Sequence, residues 1–324
     1  FTKNAQTGLV KHYQPEKCTF IRSYVPVLKP NIQKIEEAAQ LINQAKKPFA
    51  LVGQGVALGN AEEELKDFLT KADIPAGWTL LGESVMPSDF PLNKGMLGMH
   101  GNIAPNLKTN ECDVLIAIGM RFDDRVTGDL STYAKQAKVI HFDIDAAEIG
   151  KNIPVEVPIL GNVKTTLPLV TKLLNKNTHT EWIASFEEAE QKEKELVIDY
   201  EIHPKNGAIK MGETIAKISE ATRHEAVVVT DVGQNQMMAA RYSKFTQPKS
   251  FITSGGLGTM GFGVPAAIGA KIGAPDRTVV LFVGDGGFQM TMQELGTIMQ
   301  EKIGVKIVIL NNNYLGMVRQ WQEL

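Results

Sequence analysis

The chain has 324 residues, 43% apolar and 22% charged, which is enough to bury substantial cores and form about two domains. Its net charge of −2 lacks the basic excess that a nucleic-acid or anionic-membrane partner would require. It has no run of about 18 apolar residues, the length that spans a bilayer. Cys18 and Cys112 stand far apart without His neighbours, so they suggest neither a disulfide framework nor a zinc site, and they fit a reducing, intracellular setting. A start at Phe1 and a stop at Leu324, just after a helix-like WQE, read as a fragment, so the lack of a targeting segment is uninformative.

Residues 1–28 lack periodicity and read as a linker from something upstream. After Pro30, residues Ile32, Ile35, Ala39 and Ile42 recur at helical spacing, and Pro48 closes an amphipathic helix. FALVGQGVALGN then gives a strand running into Gly53, Gly55 and Gly59, with a helix from about Ala61 to Lys71. Such a turn, with Gln54 between its first two glycines, can receive a dinucleotide diphosphate. The spacing is not the G-x-G-x-x-G fingerprint, however, and a tight structural turn accounts for it equally well.

The pattern recurs in CDVLIAIGMRFDDRVTG, a strand ending at Gly119, and in AKVIHFDIDAAEIGKN, a strand ending near Asp143 and Asp145. An acidic residue at such an exit can accept ribose hydroxyls, or Asp145 can simply cap the segment after it. Strands with Gly- or Asp-rich exits make a doubly wound parallel-sheet α/β domain the economical fold for residues 29–175. From 176 to 205 the composition shifts to charge, as in WIASFEEAEQKEKEL, and reads as a linker helix with a solvated face.

A second doubly wound unit begins near residue 206, with MGETIAKISEAT as helix and AVVVTDVG as strand. The strand exits at Gly233-Gln234-Asn235-Gln236, whose backbone amides suit a phosphate. The glycines of TSGGLGTMGFG stand at the entrance of a small-residue helix, VPAAIGAKIG. In VVLFVGDGGFQMTMQELGTIMQEKIGVKIVILNNN, two apolar runs without polar alternation suit parallel strands buried on both faces. Between them, Met292, Leu295, Ile298 and Met299 recur at helical spacing. Asp285 and Asn312 then fall at the carboxyl ends of neighbouring strands, where open α/β sheets bind ligands. A carboxylate and an amide oxygen are hard ligands for Mg²⁺, which usually shares its shell with phosphates, while Gly284, Gly286 and Gly287 let backbone approach an anion. GDG alone is more often an ordinary turn. Asn312, following Asp285 by 27 positions, shifts the balance towards a metal-bridged diphosphate.

GDG, a spacer of this length and NN resemble the thiamin diphosphate motif. NNNYLGMVRQWQ and TSGGLGTMGFG are similar to acetohydroxyacid synthase (acetolactate synthase), and LGMHG, RFDDRVTG and HFDIDAAEIGKN resemble the FAD-bearing central domain of that family. The resemblance implies that Asp285, Asn312 and the backbone carbonyl of Tyr314 hold Mg²⁺ against thiamin diphosphate, with Gly233, Gln234, Asn235, Gly284, Gly286 and Gly287 around the diphosphate. It implies that the Gly258 carbonyl accepts a hydrogen bond from the aminopyrimidine and that Met260 is the apolar wedge that bends the cofactor. Composition alone would make Met260 and Met317 core filler. The implied FAD contacts are Gly53, Gln54, Gly55, Met99, His100, Gly119, Arg121, Asp124, Arg125, Asp143 and Asp145. His100 and His141 could equally be ordinary satisfied histidines, and neither is expected to act as an acid or base.

The implied reaction decarboxylates pyruvate on thiamin diphosphate and transfers the hydroxyethyl unit to a second 2-keto acid. Arg125 is placed near that acid, since a guanidinium matches a carboxylate bidentately, although arginines around FDD would ordinarily form a solvated ion-pair cluster. The resemblance implies that Trp321 favours 2-ketobutyrate over pyruvate as acceptor, by at most about 10- to 200-fold for one methylene. The family assembles as a homodimer or homotetramer, with a separate regulatory subunit, in the bacterial cytoplasm or a eukaryotic organelle. The family's essential glutamate belongs to an N-terminal pyrimidine domain, and a C-terminal lid follows, so residues 206–324 read as a truncated cofactor domain and the chain alone as inactive. Asn235 departs from a frequent histidine, and Tyr314 occupies a variable position. Other thiamin-dependent enzymes of this fold and a non-catalytic nucleotide-binding module are the competing readings, and RFDDRVTG with Trp321 favours the biosynthetic synthase.

Overall fold

The computed structural model describes residues 29–205, 207 and 209–323, so the expected linker over 1–28, and Cys18 with it, lies outside the described residues. Two all-parallel sheets organise the chain. The first has strands β1 (Pro48–Val52), β2 (Ala76–Trp78), β3 (Asn93–Met96), β4 (Val114–Ile118), β5 (Lys138–Asp143) and β6 (Val157–Leu160), in the order β3-β2-β1-β4-β5-β6. Sequence patterning finds only β1, β4 and β5. The others run three or four residues and carry Gly, Asn or Pro, which hides them from periodicity.

Burial alternates cleanly between the two faces of this sheet. Ala50, Val52, Ile116, Ile118, Ile140 and Phe142 pack under the helices Ile32–Gln44, Glu62–Ala72 and Val163–Leu173. Phe49, Leu51, Leu115, Ala117 and Val139 pack on the opposite face with Ala104, Trp182 and Phe186. The helix Ile32–Gln44 begins where the Asn31 side chain accepts the Lys34 N–H, and its buried stripe is Ile35, Ala38, Ala39 and Ile42. Each fully buried large apolar side chain there contributes about 1.5–3 kcal/mol.

The charged stretch is not one solvated helix. It is built as short helical segments, Thr180–Ala184, Glu187–Glu193, a π-type turn at Lys194–Ile198, and Asp199–Ile202. Trp182 and Phe186 anchor it to the first unit: the Trp182 indole N–H donates to Pro48 O at 2.8 Å, and Lys94 pairs with Glu190 at 3.2 Å. Two well-placed aromatics outweigh the surrounding charges.

The second sheet has β7 (Val227–Thr230), β8 (Phe251–Ile252), β9 (Val279–Gly284) and β10 (Val305–Leu310), in the order β10-β9-β7-β8. The helices Met211–Ala221 and Gln234–Tyr242 cover one face and Gly263–Gly273 the other. The expectation that both apolar runs are buried on both faces holds for β9 but not for β10, where Ile309 is 45% exposed. Among the described residues β10 pairs on one side, with β9, and is the outermost strand, which an apolar run cannot reveal. The helix expected between these strands breaks into Asp285–Thr291, a 3₁₀ turn at Met292–Glu294, and Leu295–Gln300, leaving Met292, Leu295 and Met299 exposed. Among the described residues no helix is long and apolar enough to cross a membrane.

A loop strap joins the units. The Ser84 hydroxyl oxygen accepts the Ser250 and Phe251 N–H groups at 3.0 and 3.1 Å, and the Ser88 N–H donates to Phe245 O at 2.8 Å.

Candidate functional site

In the second sheet, sequence order reverses between β7 and β9, and the chain leaves both strands at the same edge. β9 runs into Gly284 and then into the helix beginning at Asp285, with Gly284 as its N-cap. Leu310 of β10 is level with Gly284, so Asn312 leaves the neighbouring strand end just beyond Asp285. The Asp285 carboxylate is half-buried and makes no hydrogen bond or ion pair among the described residues. Asn312 Nδ2 donates to Gln234 Oε1 at 3.1 Å, while its Oδ1 accepts the Tyr314 N–H at 3.3 Å and so orients the Tyr314 peptide. The Tyr314 ring lies under the Arg319 guanidinium, 4.5 Å from it, away from any metal role. Gln234 and Asn235 open the helix Gln234–Tyr242 after Gly233, so the predicted diphosphate residues of β7, β9 and β10 converge at one edge.

The group fits what the site offers. Asn235 is 5% exposed, its Nδ2 donates to Val232 O at 3.2 Å, and its Oδ1 is buried with no partner among the described residues. A buried polar atom without a partner is unfavourable by about 1–3 kcal/mol unless a ligand or water meets it. No three His, Cys, Asp or Glu side chains cluster for a metal among the described residues.

Sequence reasoning missed Asp231. It is fully buried at the β7 exit, where Oδ1 accepts the Val232 and Gly261 N–H groups at 2.8 and 3.2 Å, and Oδ2 accepts the Gly263 N–H at 2.8 Å. This one carboxylate ties the strand exit to the glycine-rich loop that carries Gly258, which is exposed, and Met260, which is half-buried. A Cβ on Gly287 would lie 2.5 Å from Asp231 Oδ1, so the GDGG glycine also admits this carboxylate. The sequence signal was an Asp directly following a short buried strand in VVVTDVG.

At the corresponding point of the first sheet, between β1 and β4, the glycines serve each other. Gly53 N–H donates to Ile118 O at 3.0 Å and Gly55 N–H to Gly119 O at 2.8 Å, and a Cβ on Gly53 would sit 2.4 Å from Gly119 O. The Gly55 amide is therefore already engaged, and Gln54 is the exposed member of the turn. Asp143 Oδ1 accepts the Asp145 N–H at 2.8 Å and Asp145 Oδ1 accepts the Ala147 N–H at 2.9 Å, a turn-capping use of both. Burial raises the Asp143 carboxyl above its ordinary value. Arg121 pairs with Asp123 at 3.1 Å and Arg125 with Asp124 at 3.8 Å, both on the surface, while the Arg125 carbonyl accepts the Met99 N–H at 2.8 Å.

Between the two units lies a cleft of about 420 Å³, lined by Met99 and His100 from one side and by Gln234, Met237, Arg241 and Met317 from the other. Four predicted residues from distant segments thus meet, whereas Arg125 and Trp321 do not line the cleft, and Trp321 is 57% exposed. Burial, then the positive charges of Arg125 and Arg241, hold the His100 imidazole below its ordinary value, and its Nε2 is buried without a partner among the described residues. His141 is fully buried, and burial likewise lowers it. Its Nε2 lies 2.8 Å from Met120 O, where it is the donor.

Two doubly wound parallel sheets with glycine-rich exits at both switch points define an α/β protein of the nucleotide- and cofactor-binding class. More narrowly, the chain belongs to the thiamine pyrophosphate enzyme family: residues 35–170 match its central domain and residues 231–324 its C-terminal TPP binding domain. It is 45% identical over 291 residues to the acetolactate synthase isozyme 2 large subunit of Escherichia coli, covering 90% of this chain and 52% of that protein. The acetolactate synthase large subunit of Lactococcus lactis is 42% identical, covering 90% of this chain and 50% of that protein. An acetolactate synthase of Mycobacterium bovis is 43% identical, covering 95% and 51%. The chain spans about half the length of the curated relatives it matches.

Proposed function

We propose that this chain forms the central and cofactor-binding units of an acetolactate synthase catalytic subunit, acting on pyruvate and a second 2-keto acid with thiamin diphosphate, Mg²⁺ and FAD. The observation that carries the reading is the convergence of Gln234, Asn235, Asp285 and Asn312 at the β7–β9–β10 edge. Relatives named acetolactate synthase over nearly the whole chain support the substrate class.

Asp285, Asn312 and the Tyr314 carbonyl would hold Mg²⁺, and the backbone amides after Gly233 and Gly284 would face the diphosphate. Thiamin diphosphate, when bound, supplies the electron sink for decarboxylation. Asp231 holds the Gly258–Met260 loop in register with the strand exit. The apolar Met99 and Met317 exclude water between the units, and His100, kept neutral, offers a hydrogen bond there. Flavin would contact the side chains of Gln54, Met99, His100, Arg121 and Asp124 more than the Gly55 amide, which Gly119 already takes. Assembly as a homo-oligomer with a separate regulatory subunit accompanies this reading.

The test is Asp285→Ala in the full-length protein. Affinity for Mg²⁺–thiamin diphosphate is expected to fall at least tenfold, about 1.4 kcal/mol, and acetolactate formation to be lost. Equal binding by both proteins would refute the metal role.

A further inference from the structure

Glu193 stands in the charged connector, yet its side chain is only 4% exposed. Its Oε2 accepts the Ile103 N–H at 2.9 Å, directly after the Met99–His100–Gly101 loop. Its other oxygen pairs with the Arg241 guanidinium of the second unit, and Arg241 Nη1 donates to His100 O at 3.4 Å. Three segments distant in sequence therefore meet on one carboxylate–guanidinium pair. Arg241 belongs to the helix Gln234–Tyr242, whose first turn carries Gln234, and it also lines the cleft that Met99 and His100 wall from the other side. The connector is itself pinned to the first unit through Trp182 and Phe186.

We infer that Glu193 and Arg241 are positioning residues that fix the Met99–His100 wall of the cleft against the helix carrying Gln234. They act by setting the separation of the two walls between which the keto acid of the proposed function enters. A charge pair so desolvated is hard to give up singly, because either remaining partner is left buried and uncompensated. The pair also acts as one unit, so its two halves are strongly coupled.

The inference rests on the proposed function for its kinetic arm only. In the full-length protein, Glu193→Gln and Arg241→Met are each expected to reduce kcat/KM for pyruvate at least tenfold, mainly through KM. In Glu193→Gln the affinity for Mg²⁺–thiamin diphosphate is expected to stay within twofold, because the contacts assigned to it lie on the second unit and Glu193 does not. The double variant is expected to be no worse than the poorer single variant, and Arg241→Lys is expected to recover part of the loss. Additive losses, or an unchanged KM in both single variants, would overturn the inference. If the wild-type protein does not turn over pyruvate, the proposed function fails and hydrogen exchange still decides the latch. Amides of segment 97–103 should then exchange at least tenfold faster in Glu193→Gln while those of β1 and β4 do not change, and unchanged exchange in that segment overturns it.

Discussion

Asp231→Asn removes charge from the centre of the second unit while keeping side-chain volume. The carboxylate serves three backbone N–H groups, and an amide can serve only part of that set. With its oxygen at the Oδ1 position it keeps Val232 and Gly261 and turns an NH₂ on the Gly263 N–H, and the reverse orientation forfeits two bonds. The better orientation therefore loses one bond of 2.8 Å and weakens two others from charged to neutral acceptors. A hydrogen bond to a charged group is worth about 1.5–3 kcal/mol and a neutral one about 0.5–1.5. Relief of the buried charge offsets part of the loss, leaving a net destabilisation of about 3 kcal/mol. Denaturant unfolding reads this directly, and hydrogen exchange over residues 254–263 should rise first, because that loop hangs on the lost bonds. A variant within about 0.5 kcal/mol of wild type, with protection of that loop unchanged, would refute the anchoring role.

Gly119→Ala is expected to destabilise the first unit by about 2–4 kcal/mol in thermal melts, since φ is +59° and the new Cβ would lie 2.7 Å from Gly55 Cα; a melt matching wild type would exclude that close approach. Glu83, in the strap next to Ser84, is half-buried, and its carboxyl is pushed up to about 8, chiefly by burial. In the fold it stays protonated where the unfolded chain ionises, so its contribution is full below pH 4.5 and is lost as pH rises to about 8. Glu83→Gln should therefore gain about 2 kcal/mol on wild type between about pH 5 and pH 9, after discounting for its partial exposure, and a pH-independent difference would contradict the burial of this carboxyl.

Short apolar runs and strand-exit chemistry made β1, β4, β5, β7 and β9 readable, because each is a mostly apolar stretch closed by Gly or Asp. The position of a strand in its sheet was not readable: VVLFV and VKIVIL look alike, yet among the described residues β10 is outermost, and its Lys306 and Ile309 are exposed. The glycines at 53, 55 and 119 stood out as a motif, but composition does not distinguish room for a ligand from room for another glycine. Asp231 and Glu193 went unnoticed for the same physical reason. A single carboxylate looks solvated in sequence, and only the fold supplies the amides and guanidinium that make its burial tolerable. That Asp285 and Asn312 leave neighbouring strand ends was readable because their spacing across one βαβ unit leaves little freedom over where they fall.

The docking of Trp182 and Phe186 also bears on biosynthesis. The last strand of the sheet they cover ends at Leu160, yet the face bearing Phe49 and Leu115 is only partly covered, by Leu97, Ala104 and Tyr133 among others, until the connector arrives. A ribosome delivering this chain at about 5–20 residues per second leaves that face only partly covered for seconds after the last strand has emerged. When the connector docks, Lys94 and Lys108 lie over the Phe186 and Trp182 rings at 5.3 and 5.5 Å. The folding unit is therefore longer than the sheet, and its last indispensable piece is a segment that reads as a mere spacer.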